Sequence, residues 1–411
     1  MVPRMQQSDS AKLRRIYRDT NLQILFGVTL VAVMGVSSIA PALPRMLHAM
    51  AIPPAESWWL ISSFTVPGVL FAPVAGVLSD TYGRKAVLVP SLVIFGLFGG
   101  LCALTTNMWV LVGLRFLQGI GASSLWALCA TIIGDMYAGR ERMQAMGYSA
   151  SVLSIGTTIF PLVGGGLAAV GWQWPFELPL LALPLAVVVA LWLKVPQPQG
   201  KGEFMKQMRR AVVRASSPRA LCLFATTGAS FIILYGVIIT YLPIYLSSTF
   251  AATPPVIGSI IAISSLTSAG VASQVGRLSG WVAPRTLLVA AFVLYALSAV
   301  LIPVMPGAWS VAVPVLLFGV AQAFNIPTVQ ALLAGMAPME ERGAFMALNG
   351  MVLRIGQTLG PLVMGTAYTL GGLRGVFWTG GVIGALMVAV LTGVFVFGRG
   401  LDGQEERTRA Q

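Results

Sequence analysis

Apolar runs of about 20 residues, the length a helix needs to cross the hydrocarbon core of a bilayer, recur along the whole chain with short loops between them. They fall near residues 22–44, 58–79, 86–104, 109–134, 144–169 and 175–195, then 219–246, 255–276, 285–303, 309–334, 344–370 and 375–398, numbered here as spans 1 to 12. Twelve membrane-crossing helices are expected, six per half. Length alone would allow two or three soluble domains, but 56% hydrophobic residues, 9% charged residues and a mean hydropathy of +0.83 exclude them. The expected class is an all-α polytopic membrane protein.

The second half repeats the first at an offset of 200 residues. Gly76, Leu78 and Ser79 recur as Gly276, Leu278 and Ser279. Glu141, Arg142, Met146, Val152, Leu153, Ile155, Gly156, Thr158, Pro161, Leu162, Val163 and Gly165 recur, without a gap, between 341 and 365. So long a period lies beyond solenoid and propeller units and implies two homologous bundles about a pseudo-two-fold axis. The expected division is 1–195 for the first bundle with its N-terminal segment, 196–218 for a linker, and 219–411 for the second bundle with its tail.

A net charge of +13 could suggest a nucleic-acid partner, yet the placement of the bases gives a topological reason and no such partner is expected. Lysines and arginines crowd the N-terminal segment, alternate loops, the linker and the tail. Only Arg45 and Arg374 fall on the opposite side, and Arg115 and Arg354 fall inside spans. This bias puts both termini and the linker in the cytoplasm, in a cytoplasmic (inner) membrane. The linker charges are either solvated or in contact with anionic headgroups. Span 1 is too long for a signal h-region and lacks a small-residue cleavage site, so it is expected to remain as a helix. Cys102, Cys129 and Cys222 sit in apolar spans without paired spacing and read as small buried hydrophobes; no metal or cofactor is expected. His48, the single histidine, reads as a loop bystander. Most tryptophans lie near span ends, as interfacial anchors do, whereas Trp126 falls deep in span 4.

Three motifs sharpen this reading. The loop after span 2 runs Gly76-Val77-Leu78-Ser79-Asp80-Thr81-Tyr82-Gly83-Arg84-Lys85, span 4 contains Arg115-Phe116-Leu117-Gln118-Gly119-Ile120-Gly121-Ala122, and span 5 contains Gly156, Pro161, Gly164 and Gly165. These resemble motifs A, B and C of the major facilitator superfamily, motif C being that of its twelve-helix drug:proton antiporters. The likeness extends over essentially the whole chain and implies the major facilitator fold. One departure is Phe160, where the family pattern has glycine before the proline; the second copy, with Gly360 before Pro361, keeps it.

The resemblance implies roles. Asp80 would cap the start of span 11, where free N–H groups and the helix dipole favour an anion, and Arg84 would pair with Asp135 at the inner end of span 4, together forming a cytoplasmic gate. The alternative is that these residues fix only topology and a tight turn. Gly156, Pro161 and Gly165 would let span 5 rock against span 8, and Gly356, Pro361 and Gly365 would pack span 11 on span 2; plain helix packing is the alternative. Spans 1, 4, 7 and 10 would line a central cavity.

Arg115 and Arg354 each cost about 2.5–3.5 kcal/mol to insert and so should face a cavity, whereas no Asp or Glu lies in the interior of a span: Glu56 and Glu177 fall near outer ends and Asp80 and Asp135 near inner ones. Gln118, Gln322, Asn325 and Gln357 lie at similar depth, with Trp126, Phe231, Tyr235 and Tyr241 as apolar walls. Buried guanidinium without an acid favours anionic or zwitterionic substrates, since it binds carboxylate or phosphate bidentately. The alternatives are that Arg115 only bonds backbone carbonyls in its own half, and that Arg354 snorkels or pairs with a distant carboxylate. The expected function is alternating-access, proton-coupled efflux of small amphipathic molecules. The competing reading is transport or exchange of an organic anion, siderophore or lipid-like amphiphile. A lipid enzyme would need clustered His, Asp, Glu or Ser, which is not visible, so no enzyme is expected. The resemblance implies a monomer.

Overall fold

The computed structural model describes residues 16–196, 210–338 and 341–409, with side chains as far as residue 394. The N-terminal Arg4, Lys12, Arg14 and Arg15 and the linker's Lys201, Lys206 and Arg209 lie outside the described residues. Among the described residues every regular element is helical. The first six spanning helices are α1 Thr20–Ser37, α2 Trp58–Tyr82, α3 Arg84–Leu101, α4 Met108–Met136, α5 Gly139–Val170 and α6 Ala182–Trp192. Then come α7 Pro218–Ile233, α8 Pro254–Leu278, α9 Pro284–Leu301 and α10 Ala312–Met336. One continuous stretch, Arg342–Arg409, leaves helical geometry at Gly371 and Gly372. Gly372 has φ 60°, a conformation that disfavours other side chains, so residues 342–370 form α11 and 373–409 form α12. Among the described residues these make twelve spanning helices, besides the short helix Leu43–Ala49.

Local chemistry sets the ends. Asp19 accepts from the Asn21 amide at 2.9 Å at the start of α1, and Asn107 accepts from Trp109 and Val110 at the start of α4, each satisfying donors that a helix start leaves free. Pro218, Pro254 and Pro284 open their helices where a missing N–H costs nothing. Gly83, at φ 98°, makes the break between α2 and α3. Two spans are less regular than expected. Span 6 begins as a tighter 3₁₀ segment, Trp174–Leu181, containing Pro175 and Pro179, and α7 continues through a π-helical stretch, Leu234–Tyr241, into Leu242–Phe250.

The chain divides into two compact units. The first contains residues 1–52, 59–201 and 253–258; the second contains 53–58, 202–252 and 259–411. The six-residue segments 53–58 and 253–258 therefore belong to the unit formed by the other half, and they stand 200 residues apart, as the repeat does. Within the first unit Phe64 meets Phe95 edge-on, with centroids 6.4 Å apart, and Phe176 is fully buried. Within the second, Phe292, Tyr295 and Phe318 stack in series. Leu70, Leu104, Val187 and Leu191 are exposed, as lipid-facing positions of such helices are. Trp109, Trp309 and Trp378 are exposed at span ends, but Trp172 is buried against Phe176.

Candidate gating and substrate sites

At the end of the first unit where α2 turns into α3, Arg84 collects two acids. Its Nε donates to Asp135 at 3.1 Å, its Nη1 donates to Asp80, and the same nitrogen reaches the Ser79 hydroxyl at 2.9 Å. Gly83 supplies the turn that lets Arg84 fold back, while Gly76 accepts from Ser79 at 2.7 Å and fixes the hydroxyl. The Arg84 side chain is 10% exposed and those of Asp80 and Asp135 about a third, so two carboxylates share one well-covered cation. Nearby, Lys85 donates to the Leu193 carbonyl, and the Tyr137 hydroxyl donates to Asp19 at 2.6 Å. Burial and the Asp19 carboxylate push the Tyr137 phenol well above its ordinary pKa.

Deeper in the same unit, Arg115 is 1% exposed. It does not face a cavity. Nη1 donates to the Gly35 carbonyl and to Gln118 Oε1, both at 2.8 Å, and Nε donates to the Leu60 carbonyl at 3.3 Å. The guanidinium also lies 4.3 Å from the Phe64 ring centroid, within cation–π range. One arginine on α4 thereby ties α1, α2 and α4 together. Gly119 and Gly121 make room for this: a Cβ there would sit 2.3 Å from the Phe64 carbonyl and 2.5 Å from the Phe95 amide. The expectation of substrate contact by Arg115 and Gln118 is corrected, because both are enclosed within one bundle.

The second unit holds the other cluster. Gln357 donates to the Tyr235 hydroxyl at 2.9 Å, Tyr235 packs beside Phe231, and Arg354 is half-buried close enough for its charge to act on the Tyr235 phenol. Gln357 Oε1 is buried and has no partner. Near it, Thr227 donates to Asn349 at 2.7 Å, two residues sequence reasoning missed; their helical spacing from Phe231 and Gln357 is the signal that was available. Three predicted cavity residues do not join this cluster. Asn325 is 1% exposed, its Oδ1 buried with no partner among the described residues, so it is enclosed where the sequence placed it at a cavity. Gln322 is half-buried elsewhere on α10, and Trp126, expected deep in span 4, is 38% exposed.

The predicted packing glycines separate into two groups. In the first unit Gly165 abuts Pro254 and Pro255 of α8, with a Cβ placed 2.5 Å from the Pro254 carbonyl, and Gly258 abuts the Pro161 carbonyl. Gly156 instead faces Leu30 of α1. In the second unit Gly365 abuts Ala55 and Trp58, which correspond to Pro255 and Gly258 in the repeat, and the Tyr241 hydroxyl donates to the Pro54 carbonyl at 3.2 Å. Gly356 and Gly360 pack on Gly228 and Ile232 of α7 and not on span 2, where the whole set was expected, while Gly365 lies against Trp58 at the start of α2. Pro361 lies inside α11. Gly164, part of the motif C resemblance, and Gly236, which the sequence did not single out, make equally tight crossings, on the Ser38 and Gly360 carbonyls.

The sequence model of the Major Facilitator Superfamily matches residues 25–248 and 221–410. The chain belongs to this superfamily. Among its relatives, Multidrug resistance protein 2 of Bacillus subtilis (strain 168) is 24% identical over 84% of this chain and 88% of its own length. MFS transporter L2 of a Phoma species is 34% identical over 44% of this chain, a match that spans 30% of that longer protein. Solved major facilitator structures share the fold. The nucleoside transporter NupG superposes with a TM-score of 0.75 at 14% identity, covering 92% of this chain and 99% of that one. The human organic anion transporter MFSD10 gives 0.66 at 20% identity, covering 92% and 99%. The chain is thus an integral membrane transporter of the superfamily and not an enzyme.

Proposed function

We propose that this protein exports small amphipathic molecules by alternating access, in exchange for protons. The observation that carries the reading is the pair of glycine joints at equivalent places in the repeat, Gly165 on Pro254–Pro255 and Gly365 on Ala55–Trp58. At Gly165 backbone meets backbone, whereas at Gly365 the edge of the Trp58 ring lies 3.0 Å and the Ala55 carbonyl 3.1 Å from the place of a Cβ; close crossings at small residues suit bundles that rock. At the opposite end of the first unit the Arg84 cluster is exposed enough to break and re-form. Asp80 would leave Arg84 to cap the start of α11 in the outward-open state, while Arg84 kept Asp135. The multidrug relative that matches most of the chain supports export; the placement of the basic residues supports an inner membrane with both termini cytoplasmic, and we propose that the protein acts as a monomer.

A second reading, transport of an organic anion, a siderophore or a lipid-like amphiphile, is favoured by the Arg354, Tyr235 and Gln357 cluster. A half-buried guanidinium flanked by a phenol and an amide can bind a carboxylate or phosphate through charge-assisted hydrogen bonds. The acids whose side chains are described, Asp19, Glu56, Asp80, Asp135, Glu141, Glu177 and Glu341, all lie at or near helix ends, so proton coupling would act through those ends or through the substrate's own charge. Vesicles containing the purified protein, loaded with a cationic dye or an anionic amphiphile with and without a pH gradient, test both readings. Gradient-driven dye movement that survives Arg354→Ala supports the first. Anion movement lost at least about tenfold in Arg354→Ala, one charge-assisted bond's worth, supports the second. Movement of neither defeats both.

A further inference from the structure

Arg354 and Gln357 stand three residues apart on one face of α11, a spacing that leaves roughly 5–6 Å between Cβ atoms. The Tyr235 phenol joins them from α7. The Gln357 amide is committed on one side only: its Nε2 donates to the Tyr235 hydroxyl at 2.9 Å, whereas its Oε1 is buried and has no donor among the described residues. A buried carbonyl left without a donor costs free energy and calls for a partner from outside the fold. Since the phenol oxygen accepts from the amide, its own proton is available to an acceptor. Arg354 enters no ion pair among the described residues. Cation, O–H donor and open carbonyl therefore lie side by side, and the half-buried Arg354 and Tyr235 give a ligand its way in.

The fold itself does not require these groups. Two hundred residues earlier, Arg354, Gln357 and Tyr235 correspond to Ser154, Thr157 and Gly35. There Ser154 donates to the Ala150 carbonyl at 3.1 Å and Thr157 to the Ser154 carbonyl at 3.0 Å, so that face of α5 is satisfied within its own helix. The chemistry of the second copy narrows what it can hold. One cation balances one negative charge, which suits a carboxylate better than a phosphate monoester carrying nearly two at neutral pH. A simple carboxylate takes the guanidinium and the phenol proton but leaves the Gln357 carbonyl unmatched. An O–H or N–H on the carbon beside the carboxylate reaches a group one helical turn from the arginine.

We propose that this site selects an amphipathic carboxylate with a hydrogen-bond donor on the adjacent carbon, as in a 2-hydroxy acid. The carboxylate sits on Arg354 and the Tyr235 hydroxyl, the donor on Gln357 Oε1, and the hydrocarbon beside Phe231, whose ring centroid lies 6.4 Å from that of Tyr235. This selectivity rests on the Arg354 cluster being an organic-anion site, the second reading above, and narrows it. The test titrates the full-length protein in neutral detergent with 2-hydroxyhexanoate, with hexanoate, and with 2-methoxyhexanoate, which keeps the oxygen and lacks the donor, by isothermal titration calorimetry. The hydroxy acid should bind about tenfold more tightly than either of the others, the effect of one hydrogen bond to a group otherwise unmatched. Gln357→Leu should bring it level with hexanoate while hexanoate still binds, and Arg354→Ala should weaken all three. Equal binding of the hydroxy and methoxy acids would overturn the proposal and leave the anion reading standing, since the amide would then present its N–H to the ligand. A margin that survived Gln357→Leu would overturn it too, and binding of none of the three would defeat both. The comparison of the acids needs no variant, so it decides even if Gln357→Leu fails to fold.

Discussion

Arg115 is a buried cation with no ion-pair partner among the described residues, held by two carbonyls, an amide and a ring. A planar fork can reach these directions at once, whereas an ammonium on a flexible stem cannot. Arg115→Lys, which keeps the charge, should therefore lower stability by about 1–3 kcal/mol through the unmatched groups it leaves. The check is a melting curve in detergent, with transport per folded molecule changing far less than the melting point; a transport loss at unchanged stability would point to a substrate role instead. The depth of this charge was legible in the sequence but its direction was not, because α4 is apolar on every side and its periodicity does not separate faces. Tyr137 makes a simpler case. Its phenol donates to the Asp19 carboxylate, so Tyr137→Phe should cost about 1.5–3 kcal/mol at neutral pH. Because the folded-state pKa is raised, that contribution is complete below the ordinary tyrosine pKa and is lost as pH climbs through the folded value.

Helix crossings turn on individual glycines, and three consecutive ones in α5 separate the possibilities. An ideal Cβ at Gly164 would lie 1.9 Å from the Ser38 carbonyl, one at Gly165 2.5 Å from the Pro254 carbonyl, and one at Gly166 in open space. Gly166→Ala should accordingly change stability by no more than about 1 kcal/mol and in the favourable direction, as alanine does in a helix. Gly164→Ala must part α1 from α5 and should reach or exceed the ~1–3 kcal/mol of an overpacked core. Monodisperse yield and melting temperature of the three variants rank them, and Gly165→Ala should lie between. Sequence pattern revealed that Gly165 matters, through its recurrence as Gly365, but not which helix each glycine meets; Gly164 and Gly166 stand opposite Met364 and Thr366 in the repeat. The π-helical stretch of α7 was invisible for a different reason. It depends on close approach of Gly236 to Gly360 and on Thr240 donating to the Tyr235 carbonyl five residues back at 2.7 Å, and no local propensity specifies such a register.

Twelve spans and a two-fold repeat were legible because lipid demands long apolar helices and the duplication preserved its numbering. The exchange of segments was not legible, since 53–58 and 253–258 follow in sequence the halves they leave. Each segment fills a defined place. Residues 253–258 supply the Pro254 and Pro255 backbone against Gly165 and bring Gly258 onto the Pro161 carbonyl, while residues 53–58 supply Ala55 and Trp58 against Gly365 and the Pro54 carbonyl that accepts from Tyr241. A unit made from one half alone would lack these partners, leaving the buried Tyr241 hydroxyl without its acceptor and the glycine face of α5 without a covering surface. Burying an unmatched hydroxyl costs about 1–3 kcal/mol, and an uncovered face adds to it, against a total stability of only about 5–15 kcal/mol. The chain cut between residues 201 and 202 should therefore yield a monodisperse protein when both pieces are made together, and aggregated or rapidly degraded material when either is made alone. Size-exclusion profiles of the three preparations are the measurement. If 1–201 alone elutes as a sharp, thermally stable species, the borrowed segments are dispensable to the first unit and its glycine joint to α8 is incidental to the fold.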